Sequence, residues 1–423
     1  MPEDAWRIVG GRPLRGRVRP SGSKNGGLPT LAAALLVDGE TVLHNVPRIA
    51  DVETMLGLLQ SFGLTVDQQP GGTVRIVNRG LETYRAPLEL VGRMRASHYL
   101  LGPVVARLGR AEIPSPGGCA IGERPLDYIL SGLEALGVET RIEDSRIRIR
   151  CDGLIGARVT LNPVYRSPGA TFNILMAASL ARGTTVIENV SFEPDVVAFC
   201  RFLTAAGAQV EGAGTTTLTV RGVEALTGVE HTINPDRLEA GTFFCAAATT
   251  RGDVFVEDIQ RSDLGAIAEK LEEAGLILEE SSGGMRAAYR ERLRGVSVIA
   301  EPFPRFPTDL QPPMAAVLAT AEGVSSIRDS IFDLRLQYVS ELAKMGAQIR
   351  ALDTRTAEIT GVRRLHGAEV AARNIRDGAT LVVAALGAEG ESMVSGRRYV
   401  ARGYEALDSK LRSLGAEMEK AED

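Results

Sequence analysis

Side chains that bind metals or carry redox chemistry are scarce in this chain. Its 423 residues include four cysteines, Cys119, Cys151, Cys200 and Cys245, and four histidines, His44, His98, His231 and His366. They are widely spaced and match none of the short Cys/His spacings that hold zinc, so no metal site is expected. Free thiols in a chain of this length fit a reducing, cytoplasmic compartment. No apolar run is long enough to cross a bilayer. The stretch Met1-Pro2-Glu3-Asp4 is acidic and has no apolar segment behind it, so no signal peptide is expected. There is no surplus of positive charge either. The formal net charge is −5, with Lys and Arg spread along the chain. That argues against a nucleic-acid partner but leaves room for a local basic pocket for a small anion. There is also no Pro/Ser-rich linker and no low-complexity tract, so domain boundaries must be inferred from internal repetition.

The repetition is present. Leu59 to Val66, Leu133 to Val138, Leu203 to Val210, Leu271 to Leu276, Leu342 to Ile349 and Leu411 to Met418 each read as one pattern. An amphipathic helix ends, a glycine stands where a left-handed C-terminal cap belongs, and an alternating strand follows. These glycines are Gly63, Gly137, Gly207, Gly275, Gly346 and Gly415, a period longer than that of the usual solenoids. A second marker, a glycine followed by a β-rich run, recurs at Gly39, Gly183, Gly252 and Gly323. The short apolar stretches Leu31–Leu36, Ile174–Ala178 and Met314–Leu318 predict helices buried on all sides at a domain centre. Six units predict an α/β protein of two domains with three units each. One domain is expected over residues 1–22 plus 232–423, the other over 23–231, with Lys24 and Asp236 beside the two chain crossings.

Several residues have the chemistry to meet an anion. Ser115-Pro116-Gly117-Gly118-Cys119-Ala120-Ile121-Gly122-Glu123-Arg124 predicts a mobile, glycine-hinged loop carrying a thiol and an arginine. Taken alone, Cys119 reads as a small apolar filler. Gly22-Ser23-Lys24-Asn25-Gly26-Gly27 offers an ammonium, an amide and free backbone donors at a helix start. It is not a Walker loop, because the glycine spacing and the Lys-Ser/Thr pair are missing. Arg95, Arg124, Arg376 and Arg402 each begin or precede an apolar helix. Singly they read as solvated charges; at equivalent helix starts of a repeated unit they could bind phosphate together. Asp309, in Phe306-Pro307-Thr308-Asp309-Leu310, reads either as a helix N-cap or as a base.

These motifs together resemble UDP-N-acetylglucosamine 1-carboxyvinyltransferase, an enolpyruvyl transferase family of peptidoglycan synthesis. The resemblance runs from Gly22 to Gly415. It is carried by Gly22-Ser23-Lys24-Asn25, Arg95-Ala96-Ser97, the stretch from Pro116 to Asp127, Ser167-Pro168-Gly169-Ala170-Thr171, Pro235-Asp236-Arg237, Phe306-Pro307-Thr308-Asp309 and Arg402-Gly403-Tyr404-Glu405. It implies a two-domain inverse α/β barrel with three repeats in each domain. It also implies roles for particular residues. Lys24, Arg124 and Arg402 would hold the phosphate of phosphoenolpyruvate; Arg335 and Arg376 would assist at its carboxylate, with Asn25 nearby. Cys119 would be the proton donor and Asp309 the group that takes the acceptor's proton. Arg124, Pro125, Leu126, Asp127 and Tyr128 would hold a uridine, with Tyr165, Arg166, Ser167, Pro168 and Ile331 lining its site and Asn25 and Arg95 on the sugar and diphosphate side. No metal or organic cofactor is implied. The partners implied are small molecules, and the chain is expected to be a monomer or a weak homo-oligomer.

The chain also departs from the family pattern. Asn374-Ile375-Arg376-Asp377 stands where members carry Asp-Leu-Arg-Ala, and Val400-Ala401 where they carry Ile-Asp. Tyr165 replaces a lysine or apolar residue, and Pro168 replaces a valine. Loss of carboxylates at 374 and 401 predicts less neutralised and less well oriented arginines. Three readings follow: the UDP-sugar enzyme, a paralogue acting on another uridine nucleotide such as uridine monophosphate, and a non-catalytic nucleotide-binding regulator. EPSP synthase, which shares the implied fold, lacks the Gly-Gly-Cys loop.

Overall fold

The computed structural model describes residues 4–115 and 126–421. The segment 116–125, with the expected loop and its Cys119, Arg124 and Pro125, lies outside the described residues. The chain divides into two compact units, each with its own hydrophobic core. The first comprises 4–21 and 235–421, the second 22–115 and 126–234.

Local sequence explains the helix ends. All six repeat glycines take a left-handed backbone, with φ between +86° (Gly346) and +106° (Gly207). At each end the glycine N–H donates three residues back, and the next N–H donates five residues back to the carbonyl of a leucine. Gly137 to Glu134 (2.9 Å) and Val138 to Leu133 (3.2 Å) are one instance; Gly415 to Arg412 (2.9 Å) and Ala416 to Leu411 (3.0 Å) are another. This is the Schellman arrangement, closed by an apolar contact between the leucine and the residue after the glycine. The recurring leucine and glycine are thus two halves of one cap.

Two helix types alternate. The helices that end in these caps are amphipathic. In Ala266–Glu273, for example, Ala266, Ile267, Ala268 and Leu271 are buried while the acidic and basic residues face outward. The others are mostly buried: Lys24–Ala33, Leu101–Leu108 (over its first five residues) and Pro168–Ala178 in the second unit, Arg237–Thr249, Gln311–Leu318 and Ile375–Gly387 in the first. The last three pack against one another. Phe243 and Phe244 on Arg237–Thr249 are wholly buried, each contributing roughly 1.5–3 kcal/mol. Among the described residues no helix is long and apolar enough to cross a membrane.

Sheets cover these helices, three in each unit among the described residues. Central strands alternate an inward apolar with an outward polar residue, as in Thr217–Arg221. A typical sheet places Arg158–Thr160 parallel to Thr184–Glu188, which pairs antiparallel with Thr217–Arg221, which in turn pairs antiparallel with Gln209–Glu211. Helices inside and sheets outside make each unit an inverse α/β barrel. Two edge strands are exchanged along the sequence. Arg15–Val18 precedes the helix Lys24–Ala33 but pairs with Asp253–Glu257 in the first unit. Leu226–Thr232 precedes the helix Arg237–Thr249 but pairs with Val37–His44 in the second. Ala5–Val9 sits between Glu391–Ser395 and Glu417–Lys420 and so completes the sixth sheet.

Candidate active site

In the first unit three buried helices begin close to the predicted chemistry. Asp236 caps Arg237–Thr249 by accepting from Leu238 N (2.8 Å) and Glu239 N (3.1 Å). Asn374 caps Ile375–Gly387 through Arg376 N and Asp377 N (both 3.0 Å). The helix Gln311–Leu318 is different: its N-cap is Leu310, with no side-chain cap bond. Asp309 is therefore not the helix cap that sequence allowed. Its Oδ1 accepts from Arg335 Nη2 at 2.5 Å and its Oδ2 from Arg376 Nη2 at 2.8 Å. The two guanidinium side chains are 2% and 6% exposed, while Asp309 keeps 24%. The carboxylate is thus held by two buried guanidiniums while a quarter of it stays exposed.

Arg376 is not the solvated charge that its sequence position suggested. Its Nη1 donates to Tyr404 Oη (2.9 Å), which lies 2.9 Å from Thr242 Oγ1. Burial alone pushes its guanidinium down, but the charges of Asp309, Tyr404 and Asp236 outweigh burial and hold it above its ordinary value. The Nε of Arg335 is buried with no hydrogen-bond partner among the described residues. Asp329, wholly buried, fixes the neighbouring turn: it accepts from Ile331 N (2.8 Å), Phe332 N (2.9 Å) and the Thr308 hydroxyl (2.5 Å).

The expectation that Arg376 is poorly oriented is corrected here. Asn374 supplies the cap that an aspartate would, because the two are near-equal N-caps, and Asp309 and Tyr404 orient the guanidinium. A carboxylate remains nearby at Asp377, which is buried with one oxygen unbonded. Burial pushes it up to about 6, against the pull of Asn374 and of Arg335. Ala401 is exposed, one residue beyond the short helix Arg397–Val400. Arg402 is half-buried beside it.

In the second unit, Lys24 opens the helix Lys24–Ala33, and Ser23 caps it through Gly26 N (3.2 Å). Lys24 Nζ pairs with the buried Asp51 at 2.8 Å. Gly22 is demanded by a close approach, since a Cβ there would fall 1.8 Å from Asn45 O. Asn25 is half-buried on the first turn. Arg95 opens the 3-10 helix Arg95–Leu100 and is half-buried, which lowers its guanidinium below its ordinary value. Leu126 precedes the helix Asp127–Ala135, where Asp127 is exposed. Tyr128 Oη accepts from Asn162 Nδ2 (3.3 Å), and its ring lies 6.1 Å from that of Tyr165. Asn162 Oδ1 also accepts from Tyr165 N (3.1 Å), so one asparagine ties the two tyrosines together. Arg166 has a left-handed backbone (φ +38°), and its guanidinium lies 5.5 Å from the Phe192 ring. Ser167 caps Pro168–Ala178 through Ala170 N (3.2 Å), with Pro168 at the first helical position.

The structure thus brings Asp309, Arg335 and Arg376 together in one unit, and Tyr128 with Tyr165 in the other. Sequence reading missed Asp51, the ion partner of Lys24. It quoted Tyr404 within a motif but gave it no role. Asp51 left no signal beyond its place in a helix's first turn.

Comparison with known proteins converges on one family. The model of EPSP synthase (3-phosphoshikimate 1-carboxyvinyltransferase) matches residues 8–411. A UDP-N-acetylglucosamine 1-carboxyvinyltransferase 3 from Symbiobacterium thermophilum is 46% identical over 414 residues, 98% of this chain and 97% of the relative. A UDP-N-acetylglucosamine 1-carboxyvinyltransferase from Cellvibrio japonicus is 43% identical over 99% of both chains. The crystal structure of the enolpyruvyl transferase NikO from Streptomyces tendae superposes with a TM-score of 0.89 over 98% of both chains, at 26% identity. With the repeated inverse barrels and the Arg335–Asp309–Arg376 cluster, these matches place the chain in the family of carboxyvinyl (enolpyruvyl) transferases that includes EPSP synthase and the UDP-N-acetylglucosamine 1-carboxyvinyltransferases.

Proposed function

We propose that the protein transfers the enolpyruvyl group of phosphoenolpyruvate to the 3-hydroxyl of UDP-N-acetylglucosamine and releases inorganic phosphate, a step in making peptidoglycan precursors in the cytoplasm. One observation carries this reading: 46% identity along 98% of the chain to a relative of that name. In this account Cys119 gives a proton to the methylene carbon of phosphoenolpyruvate, which leaves C2 electrophilic. The acceptor oxygen bonds to C2 while its proton passes to Asp309. The tetrahedral phospholactoyl adduct then loses phosphate as the bond between C2 and the bridging phosphate oxygen breaks. A methyl proton leaves with it and restores the double bond. Lys24, Arg124 and Arg402 hold the phosphate, and Arg335 and Arg376 serve the carboxylate end. Fixed cations near a developing negative charge supply much of the rate, because they need not reorganise during reaction. Two features of Asp309 support its role: two buried guanidiniums fix it in position, and it stays 24% exposed.

A second reading keeps the chemistry and changes the acceptor to a smaller uridine nucleotide such as uridine monophosphate. Tyr165 favours it, since an aromatic ring, 37% exposed beside Tyr128, narrows its surroundings. The test is phosphate release from phosphoenolpyruvate with a panel of uridine nucleotides. Release with UDP-N-acetylglucosamine supports the first reading. Release with the monophosphate alone replaces it with the second, and release with none supports a non-catalytic binder.

A further inference from the structure

The three buried helices of the first unit carry the Asp309 cluster at their N-terminal ends. Their C-terminal ends meet a separate cavity of about 80 Å³. Holding a single water takes only about 10–15 Å³ of such space, so the cavity has room for one phosphate group. Thr249, Thr320 and Gly387, at or just past the three helix ends, line it. Arg251, Arg292, Arg363 and Arg364 line it too, with Glu389 as the one carboxylate among the described lining residues.

One explanation of the arginines is that they merely cap the helix ends, each of which carries a negative charge of about half a unit. Three observations count against it. First, the last-turn carbonyls are already bonded. Thr249 Oγ1 donates to Ala246 O (3.2 Å) and Val383 O (3.1 Å), and Thr320 Oγ1 to Val317 O (3.3 Å). Second, only Arg292 reaches carbonyls, Thr320 O at 3.4 Å and Val362 O at 3.3 Å, and Arg364 is paired with Glu389. The side chains of Arg251 and Arg363 make no hydrogen bond or ion pair with any described residue. Third, one helix of the second unit solves the same problem without charge: buried Asn78 donates through Nδ2 to Ala34 O (3.3 Å) and Leu35 O (3.0 Å) beyond the helix Lys24–Ala33. Arg251 also holds a left-handed backbone (φ +57°), whereas the turns before three other strands use Gly183, Gly323 and Gly390 for that conformation. Four guanidinium charges against one carboxylate and three half-charges leave the mouth positive.

We propose that this cavity is a binding site for a small phosphate-bearing anion, held by Arg251, Arg292 and Arg363 and distinct from the residues assigned to catalysis. The proposal does not depend on which nucleotide the enzyme uses. Titration calorimetry of the full chain with inorganic pyrophosphate tests it, using wild type, Lys24→Ala and the double variant Arg251→Ser/Arg363→Ser. Lys24→Ala should keep a pyrophosphate-binding event that weakens with salt. The double variant should lose it at least tenfold while keeping wild-type kcat/KM. Arg363→Glu, at an exposed side chain with no partner among the described residues, should abolish the same event and guards against misfolding of the double variant. Unchanged binding in the arginine variants, loss of all binding in Lys24→Ala, or no binding to wild type would each overturn the proposal.

Discussion

The two units share one backbone plan and treat charge in opposite ways. The second buries two carboxylates, Asp51 and Asp195, and no arginine among its described residues. The first buries Arg237, Arg335 and Arg376 together with Asp236, Glu239, Asp329, Glu341, Asp377 and Asp408. A fold that closes equally well without these charges does not need them for stability. Buried ion pairs are in any case a poor source of it, since desolvation consumes most of the Coulombic gain. Their concentration at the helix starts of one unit points to chemistry performed there.

The largest expected effect removes the centre of that cluster. Asp309→Ala should lower kcat by about 10²–10⁴-fold, the usual worth of a positioned acid or base, while nucleotide affinity by calorimetry changes little. Normal turnover would reduce Asp309 to a structural anchor and erase the contrast between the units. Cys119 is expected to act as an acid. Cys119→Asp should keep part of the turnover and Cys119→Ser almost none, because a hydroxyl is too weak an acid; equal rates in the serine variant and wild type would contradict the assignment.

The next effect is in pH dependence, where the units should differ in sign. Burial pushes Glu239 in the first unit up to about 7, further than its partner Lys410 (2.6 Å) pulls it down, with Asp236 adding to the rise. Between its ordinary value of 4.5 and about 7, the folded state holds a proton that the unfolded chain has released. Its contribution is therefore present at low pH and lost as pH rises through about 7, on the order of 3 kcal/mol. His231 in the second unit goes the other way. Burial, helped by Arg201, lowers it below 6.5, so its contribution is lost as pH falls below that value. Melting temperatures from pH 5 to 8 should show wild type gaining on Glu239→Gln toward acid and losing to His231→Phe in the same direction. Slopes of one sign would break this part of the comparison.

The smallest effect tests what the units have in common. Gly137 and Gly415 have φ of +92° and +97°, and neither would bring an added Cβ within 4 Å of another group. Alanine at either position should cost only the left-handed backbone penalty, about 1–2 kcal/mol. Calorimetry should find the two losses equal, and unequal losses would show that the caps are not equivalent.

The repeats were legible in the sequence because each cap is local: leucine, glycine and the following apolar residue lie within six positions and need no distant partner. Lys24 and Asp309 were legible as candidates for a similar reason, since each stands at a helix start marked by glycine or proline. Their partners were not. Arg335 and Arg376 meet Asp309 from 26 and 67 residues away, and only the packing of helix starts from different repeats brings them together. The choice between cap and base at Asp309 was open for the same reason. The loss of aspartate at 374 looked harmful because sequence does not show that Asn374 spends its side chain on backbone N–H groups while Asp309 and Tyr404 hold Arg376.

The central claim is the identity of the acceptor, and one comparison tests it most directly: kcat/KM for UDP-N-acetylglucosamine against uridine monophosphate, each at saturating phosphoenolpyruvate. The account predicts that the UDP-sugar is the better substrate by a wide margin. Turnover of the monophosphate with none of the UDP-sugar would contradict it.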